Sequence, residues 1–436
     1  MSTPFGQCLP NLRTEVPGPE SRALAARLAH VESRNITRLE PVPPIFWDVA
    51  QGANVRDVDG NVFIDLTAGF GVASAGHANP AVVAAIARQA GRLAHGLGDV
   101  QPHAVKVELL ERLARIAPGS LNVTILGSAG AEAAEAALKT AWLRTGRPTV
   151  IAFEGSYHGL TIGALAVTQL GEFRAPFQRV LSPAVRFVPF PTRAAELSAT
   201  LARLDAALDD SVGAILVEPI QGRGGVRVPP PQFLSALRER CDGRLRVLIF
   251  DEIYTGMGRT GHWFACQHAH VTPDLLLVGK GLTGSTALSA CIGTGEVMAA
   301  WPPSRGEAIH TSTFLGNPIA CAAALAQIDQ IVDLDLITRA RLLGEQIQAR
   351  ANLWVKRWPC AREVRGMGAL QGVVLSPGDP LLGLRICELA LTRGVIVLAE
   401  GAQADVLALT PPLIITDAQL EHALTVIECT LEDCLL

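Results

Sequence analysis

The sequence predicts an α/β protein built on a parallel or mostly parallel sheet with helices on both faces. Short apolar runs alternate along the chain with longer segments of helical periodicity, which is typical of strand–helix–strand units. The runs are apolar throughout, as expected of strands that are buried on both faces. A long helix near 317–333 then opens a C-terminal part, which we assign together with the N-terminus to a smaller domain.

The elements follow one another in three parts. The N-terminal part is predicted to hold a helix over 20–33 and two strands within 53–66, around the turn at Asp59-Gly60. The central part is predicted to hold helices at 80–96, 103–116 and 131–144, with strands at 122–126, 149–153, 213–217, 246–250 and 274–278. After the long helix we expect a helix near 336–357, strands near 364–375 and 395–409, and a last helix from Asp417. The expected domains are therefore a small one from residues 1–75 and 326–436 and a large one over 76–325.

The composition excludes several classes of protein. Of 436 residues, 49% are hydrophobic and 18% are charged, which argues against wholesale disorder. The net charge of −4 argues against nucleic acid as the main partner. No apolar run reaches the roughly 18 residues of a membrane span, and the N-terminus does not resemble a signal peptide. The nine cysteines form no C-x-x-C pair, so we expect reduced thiols and a cytoplasmic protein.

Two local patterns have ordinary interpretations that we prefer. The G-x-G-x-x-G stretch over 256–261 follows a strand, but His-Trp-Phe comes next instead of the helix that a dinucleotide fingerprint needs. We interpret it as a glycine-rich turn. A cluster of possible metal ligands follows at His262, Cys266, His268 and His270. It lacks the second cysteine of a structural zinc site, so we expect no metal.

Lysine is scarce in this chain. There are four, at positions 106, 139, 280 and 356, whereas the other 33 of the 37 basic residues are arginines. Lys106, Lys139 and Lys356 lie in helical segments, where a solvated face is the expected setting. Lys280 instead follows an apolar strand and is flanked by two glycines. The end of an interior strand is where open α/β sheets bind ligands, and burial there favours Schiff-base chemistry by an amine.

Two carboxylates and a glycine-containing loop complete a possible site. Asp251 and Glu252 end the strand before that of Lys280, and strand alternation points them to opposite sides. A carboxylate 29 residues before an active lysine suits the nitrogen of a pyridinium ring, although a helix-capping acid is the alternative. Gly130 opens a predicted helix, where free backbone N–H groups suit a phosphate. Together with the aromatic face of Tyr157, these groups supply the contacts of pyridoxal phosphate.

The motifs, in this order, resemble the class III pyridoxal-phosphate aminotransferases of fold type I. The similarity is to omega-aminotransferases of the 4-aminobutyrate and acetylornithine type, and it runs from about Pro44 to the C-terminus. The matching stretches are 76–80, 130–133, 157–159, 217–222, 251–253, 256–261, Lys280 and 313–318. The resemblance implies a mostly parallel seven-stranded sheet in the large domain. It also implies pyridoxal 5′-phosphate as cofactor and transamination from a primary amine or amino acid to an oxo acid or aldehyde.

The resemblance assigns a role to each matching residue. Lys280 matches the lysine that forms the Schiff base with the cofactor and moves the substrate proton. Asp251 matches the partner of the ring nitrogen, and Ile253 and Tyr157 match the residues on the two ring faces. Further cofactor contacts are implied for His158, Glu218 and Tyr254.

Phosphate binding and assembly are implied in the same way. Gly130 and Ala131 match the phosphate-binding pair, with Ser128 as a possible additional contact. Thr313 matches a hydroxyl that reaches the phosphate in the other subunit, which implies a homodimer. The residues implied at the substrate are Phe46, Trp47, Phe70, Tyr157, Glu218 and Arg223. For the first three of these, a place among the core aromatics is the alternative.

Three positions depart from the commonest pattern of the family. Ala131 replaces a frequent hydroxyl residue. Ala408 aligns where many members carry an arginine for the substrate carboxylate, and no arginine occurs in 394–436. Arg223 stands where an acid is frequent, and it could replace the missing guanidinium or pair with Glu218. We therefore expect the usual 2-oxoglutarate half-reaction to be impaired or to be handled by another residue.

Two kinds of alternative function remain, and they differ in whether the protein uses the cofactor. A racemase or epimerase, an aminomutase or a decarboxylase of the same fold would share the cofactor and differ in the bond that breaks. A non-catalytic relative acting as a scaffold is the alternative from another class, but the retention of both Asp251 and Lys280 argues against it.

Overall fold

A computed structural model describes residues 4–36, 44–377 and 379–434. The chain divides into two compact units. The first unit combines Met1–Asn79 with Thr338–Leu436, and the second unit is Pro80–Ile337. Within the described ranges, every helix is too short or too polar to cross a lipid bilayer.

The N-terminal part of the first unit is short and mostly extended. Its elements are α1 (Pro19–Leu28), β1 (Trp47–Gln51), β2 (Asn54–Asp57), β3 (Val62–Asp65) and α2 (Ala68–Gly71). The predicted hairpin is present, because β2 and β3 pair antiparallel across a turn in which Gly60 has a φ of +83°. The predicted helix over 20–33 is shorter than expected and ends at Leu28.

The second unit contains the alternating elements. Its helices are α3 (Pro80–Arg92), α4 (Ala104–Ile116), α5 (Gly130–Thr145), α6 (Ile162–Val167), α7 (Gly171–Arg174), α8 (Ala194–Ala207), α9 (Gln232–Cys241), α10 (Gly295–Met298) and α11 (Pro318–Asp333). Its strands are β4 (Leu121–Gly127), β5 (Thr149–Phe153), β6 (Val185–Val188), β7 (Val212–Val217), β8 (Val247–Asp251), β9 (Leu275–Val278) and β10 (Ser289–Thr294). Short 3₁₀ turns lie at Ala175–Phe177, Ala265–Ala269 and Lys280–Leu282.

These seven strands form one sheet in the order β4-β10-β9-β8-β7-β5-β6. Six of them run in the same direction, and β10 alone is antiparallel to both of its neighbours. The prediction of a mostly parallel α/β sheet is confirmed. Five of the strands were predicted, whereas β6, which is at the sheet edge, and β10 were not.

Helix α5 packs closely on this sheet because its buried face is made of alanine. Five buried alanines of α5 contact apolar residues of β7, β8 and β9, which include Leu216, Ile249 and Leu277. Alanine favours the helix and lets its backbone approach the strands. The N-terminus of α5 is thereby held at the carboxyl edge of the sheet, next to the ends of β8 and β9.

The C-terminal part of the first unit adds α12 (Leu336–Arg357), β11 (Ala361–Met367), β12 (Leu370–Leu375), α13 (Leu382–Leu391), β13 (Val395–Ile396), β14 (Leu398–Glu400), β15 (Val406–Leu409) and α14 (Asp417–Asp433). Strands β11, β12, β15 and β14 form an antiparallel sheet in that order. Strand β13 pairs in parallel with β3, so the two chain ends share a second four-stranded sheet, β1-β2-β3-β13.

Candidate active site

Lys280 and Asp251 lie at the ends of two neighbouring parallel strands. Asp251 is the last residue of β8 and stands opposite Leu277 of β9. Lys280 follows β9 after Gly279 and opens a 3₁₀ turn. Its φ is +43°, a left-handed conformation that non-glycine residues adopt rarely and that is found most often at functional sites. The amine and the carboxylate therefore share the edge of the sheet where ligands bind in open α/β folds.

The Asp251 carboxylate is buried and held by two donors. Its side chain is 4% exposed. Oδ2 lies 2.8 Å from Nδ1 of His158, and Oδ1 accepts the Ile253 N–H at 3.0 Å. With a proton assigned to Nδ1, His158 donates to the carboxylate. Nε2 of His158 is buried without a hydrogen-bond partner among the described residues.

Glu252 faces the opposite side, as strand alternation predicts. Its oxygens accept the backbone N–H groups of Ala265 at 2.8 Å and Cys266 at 2.7 Å, and the hydroxyl of Thr255. Burial raises the pKa of the Glu252 carboxyl. Because these contacts join β8 to the 3₁₀ turn at Ala265–Ala269, Glu252 supports the loop behind Asp251.

Glu218 joins two loops beside this pair. Its side chain is buried, with Oε1 accepting the Tyr157 N–H at 2.9 Å and Oε2 accepting the Gly222 N–H at 3.1 Å. Burial raises the pKa of Glu218 to about 7, an effect that His158 opposes and the charge of Asp251 reinforces. The carboxylate thus fixes the loop of Tyr157 to the loop that begins at Gly222.

Aromatic rings lie beside Lys280 and beside Arg223. Nζ of Lys280 lies 4.2 Å from the ring centroid of Tyr254. The ring of Tyr157 meets that of Phe173 edge to face, with centroids 5.7 Å apart. The Arg223 guanidinium carbon lies 5.9 Å and 5.8 Å from these two centroids. Phe173 was missed by the sequence analysis, because nothing in the local pattern of α7 indicates its contact with Tyr157.

The start of α5 has no side-chain cap and packs closely on its surroundings. Its N-cap residue, Ala129, makes no side-chain capping bond, and the Ser128 N–H donates to Glu132 at 2.7 Å. A Cβ at Gly130 would lie 2.9 Å from Cδ1 of Ile253, and one at Gly159 would lie 2.6 Å from the Cβ of Ala131. The helix start therefore contacts both Ile253 and the loop that carries Tyr157 and His158. Backbone N–H groups at such a terminus favour a phosphate.

The other predicted site residues lie on other elements of the chain. Thr313 is exposed, between β10 and α11. Phe46, Trp47 and Phe70 belong to the first unit, where Phe46 is half-buried. Trp47 and Phe70 are 44% and 51% exposed, so these two are not core aromatics. Ala408 is buried in the middle strand β15, opposite Gly372 and Leu398.

The remaining motifs have structural roles. The stretch 256–261 forms turns and a bend, and the short 3₁₀ turn at Ala265–Ala269 follows in place of an α-helix, so its interpretation as a glycine-rich turn is confirmed. His262 and His268 pack ring against ring with centroids 4.5 Å apart, and Nε2 of His268 contacts the carbonyl of Thr260. Of the other lysines, Lys139 and Lys356 are exposed on helices, and Lys106 is half-buried on α4.

The fold and the site define a fold type I enzyme with a place for pyridoxal 5′-phosphate. The chain belongs to the class III aminotransferases, since the family described as "Aminotransferase class-III" matches residues 36–431. Its activity is pyridoxal-phosphate-dependent transamination.

Curated relatives and solved structures match over nearly the full length. The chain is 38% identical to the acetylornithine aminotransferase of Methanopyrus kandleri, covering 87% of this chain and 92% of that protein. It is 32% identical to the alanine/serine racemase of Pyrococcus horikoshii, covering 98% and 93%. A structure of the ornithine aminotransferase of Toxoplasma gondii, in which pyridoxal phosphate partly occupies the active site, matches with a TM-score of 0.84 at 31% identity. That match covers 95% of this chain and 96% of the other.

Proposed function

We propose that Lys280 is the amine that holds the cofactor and transfers the substrate proton, and that Asp251 binds the pyridine nitrogen. This proposal is carried by the position of the two groups at the ends of the neighbouring strands β8 and β9. The Asp251 carboxylate is buried there and bonded to His158. A carboxylate has about four lone-pair sites, and two of those of Asp251 are used by His158 and the Ile253 N–H, so it can accept a further N–H.

The described residues fit the cofactor. When bound, pyridoxal phosphate supplies an electron sink for the bond that breaks in the substrate. The uncapped start of α5 offers backbone N–H groups of Gly130 and Ala131 to the phosphate, with Ser128 beside them. A side chain at Gly130 would collide with Ile253, the residue that we assign to one face of the ring, so glycine allows the helix start to approach it. We assign the remaining cofactor contacts to Tyr157, His158, Glu218 and Tyr254.

We propose a primary amine or amino acid as donor and an oxo acid or aldehyde as acceptor. The acetylornithine and ornithine aminotransferases among the similar proteins support this substrate class. We assign the exposed aromatics Trp47 and Phe70, together with Phe46, to substrate contacts. Racemisation of an amino acid is the second candidate, because the alanine/serine racemase matches almost the whole chain.

A homodimer in the cytoplasm is our proposal for the assembly and its location. Four large apolar residues lie close to Thr313 in the sequence or in the structure. Each of them is at least 59% exposed: Leu97, Val100, Ile309 and Phe314. Exposed apolar surface of this kind is typical of a protein interface. The nine cysteines are all free, which suits a reducing compartment. A sedimentation mass of one chain at micromolar concentration would refute the dimer.

Borohydride reduction followed by peptide mass mapping tests the role of Lys280. We expect a reduced cofactor adduct on Lys280 and its loss in Lys280→Ala, whereas Lys139→Ala is the matched control on an exposed lysine. An adduct elsewhere would refute the assignment. Adding one chiral amino acid without an acceptor then separates the two candidates. Conversion of the cofactor to its amine form supports transamination, whereas loss of substrate chirality without that conversion supports racemisation.

A further inference from the structure

We propose that Thr168 is a positioning residue for the cofactor, because its buried hydroxyl fixes the backbone of the loop that carries Tyr157 and His158. The inference rests on the proposed function, in which both of those residues contact the cofactor. It gives a function to the segment that follows α6, and it names a side chain that acts on the cofactor only through other residues.

The Thr168 hydroxyl bonds to two consecutive residues of that loop. Thr168 is fully buried and lies directly after α6. Its hydroxyl oxygen accepts the His158 N–H at 2.9 Å, and the hydroxyl donates to the Gly159 carbonyl at 3.0 Å. One side chain thus satisfies a backbone donor and a backbone acceptor. Removing the hydroxyl would leave both groups without these bonds, which is unfavourable inside a protein.

Further bonds join the same two segments, which we call the cofactor loop (155–159) and the anchor segment (167–169). The Gly155 N–H donates to Oε1 of Gln169 at 2.7 Å. The Gln169 N–H in turn donates to the Ser156 carbonyl at 2.9 Å. The bonds to the anchor segment therefore lie on both sides of the middle of the cofactor loop, and together they leave its backbone little freedom to move.

The anchor segment is itself held by Arg174. One nitrogen of its guanidinium lies 2.7–2.8 Å from three carbonyl oxygens, those of Leu165, Ala166 and Thr168. These carbonyls lie at the C-terminal end of α6, where carbonyl groups lack partners within the helix and a cation is favourable. The same guanidinium lies over the ring of Phe187 in β6, with 4.8 Å to its centroid. The arginine thus attaches the anchor segment to the edge of the sheet.

The cofactor loop carries three of the groups that the proposed site uses. Nδ1 of His158 lies 2.8 Å from the carboxylate of Asp251, which we assign to the pyridine nitrogen. Gly159 packs on Ala131 at the start of α5, where we place the phosphate. Tyr157 is the residue that we assign to one ring face. A displacement of the loop backbone would therefore disturb all three contacts at once, and Thr168 is bonded to two of the three residues.

Release of pyridoxal phosphate from the holoenzyme tests the inference. Thr168→Val keeps the shape of the side chain and removes the hydroxyl, whereas Thr168→Ser keeps the hydroxyl. Thr430→Val is the matched control, because Thr430 is fully buried in α14 and its hydroxyl donates to the Ile427 carbonyl. We expect release to be about 10-fold faster in Thr168→Val, and to stay within about threefold of wild type in Thr168→Ser and Thr430→Val.

Two further measurements distinguish positioning from a general effect on stability. Hydrogen exchange in the holoenzyme should be about 10-fold faster for the amides of the cofactor loop in Thr168→Val, because the loop opens more often. The visible circular dichroism per bound cofactor reports the orientation of its ring. It should decrease in Thr168→Val and return in Thr168→Ser. Thr430→Val should lower the melting temperature and leave both signals unchanged.

Arg174→Ala is a second variant that leaves the hydroxyl in place and removes its support. It should speed cofactor release about 3- to 10-fold, whereas Arg203→Ala, on the exposed face of α8, should not. Unchanged release and dichroism in Thr168→Val, or in Arg174→Ala if the first variant does not fold, would overturn the inference.

Equally fast release in Thr430→Val would also overturn it, since this indicates a general loss of stability. In either case a cofactor adduct on Lys280 of the wild type would leave the proposed function standing. A wild type without that adduct would overturn the proposed function, and this inference with it.

Discussion

The buried carboxyl of Glu218 makes the stability of the protein depend on pH, and Glu218→Gln removes that dependence. The amide has the size of the acid and keeps one acceptor for the Tyr157 N–H. It replaces the acceptor for Gly222 by a donor, which costs about 1–3 kcal/mol at any pH. This loss does not titrate, whereas the acid does, so the pH dependence isolates the effect of the charge.

The sign and size follow from the pKa. Burial raises the pKa of Glu218 from 4.5 to about 7 in the folded protein. Between these two values the folded state keeps a proton that the unfolded state has lost, so wild-type stability falls as the pH rises from 4.5 to 7 and is constant above 7. At about 1.4 kcal/mol per pKa unit, the whole effect is about 3 kcal/mol. Roughly three quarters of it falls between pH 5 and pH 8.

Urea unfolding of the holoenzyme at pH 5, 6, 7 and 8 measures the effect. We expect the difference in unfolding free energy between Glu218→Gln and wild type to move by about 2.5 kcal/mol in favour of the variant from pH 5 to pH 8. Glu307→Gln, on an exposed segment, reports the effect of the amide substitution itself. If the difference in unfolding free energy between the variant and wild type stays constant over this range, the pKa of Glu218 is not raised to about 7 and the reasoning is wrong.

Two further predictions concern glycines with opposite surroundings. Gly159→Ala places a Cβ 2.6 Å from the Cβ of Ala131, in a backbone with φ of +115°. It should therefore displace the start of α5 and weaken cofactor binding by at least about 10-fold, measured as the cofactor retained after dialysis. Full retention would contradict the proposed phosphate site. Gly91 lies in α3, and a Cβ added there would have nothing within 4 Å. Gly91→Ala should therefore stabilise the protein by about 0.5–1 kcal/mol, because alanine favours a helix more than glycine does. A lower melting temperature of the variant would contradict this.

The sequence predicted the parts of the fold that have strong local signals. The apolar strands that become β4, β5, β7, β8 and β9 were found because buried parallel strands lack polar interruptions. β10 was missed because small and polar residues interrupt Ser289-Ala-Cys-Ile-Gly-Thr294, so it lacks the continuous apolar run of the predicted strands. Strand was expected near 364–375, and this region contains β11 and β12, which pair antiparallel because the chain turns back after Met367.

In the candidate site, too, residues with a local sequence signal could be predicted and contacts between distant segments could not. Lys280, Asp251 and the start of α5 could be chosen from sequence because each stands at a strand end or a helix start, where position follows from secondary structure alone. Phe173 and the packing of Gly222 on Tyr254 could not be chosen, because they depend on how three loops fold over the sheet edge. The bond between His158 and Asp251 joins residues 93 positions apart, and spacing carries no signal for it.

The absence of a hydroxyl at position 131 has a structural consequence. A serine or threonine there would hold a phosphate through a rotatable side chain, whereas Ala131 leaves only backbone N–H groups, whose directions are set by the helix. Those directions depend on where α5 begins, and α5 is held by alanines packed on the sheet and by the close approach of Gly159 to Ala131. The position of the proposed phosphate site is thus determined by the packing of the helix, so substitutions in its buried alanine face should weaken cofactor binding as well as stability.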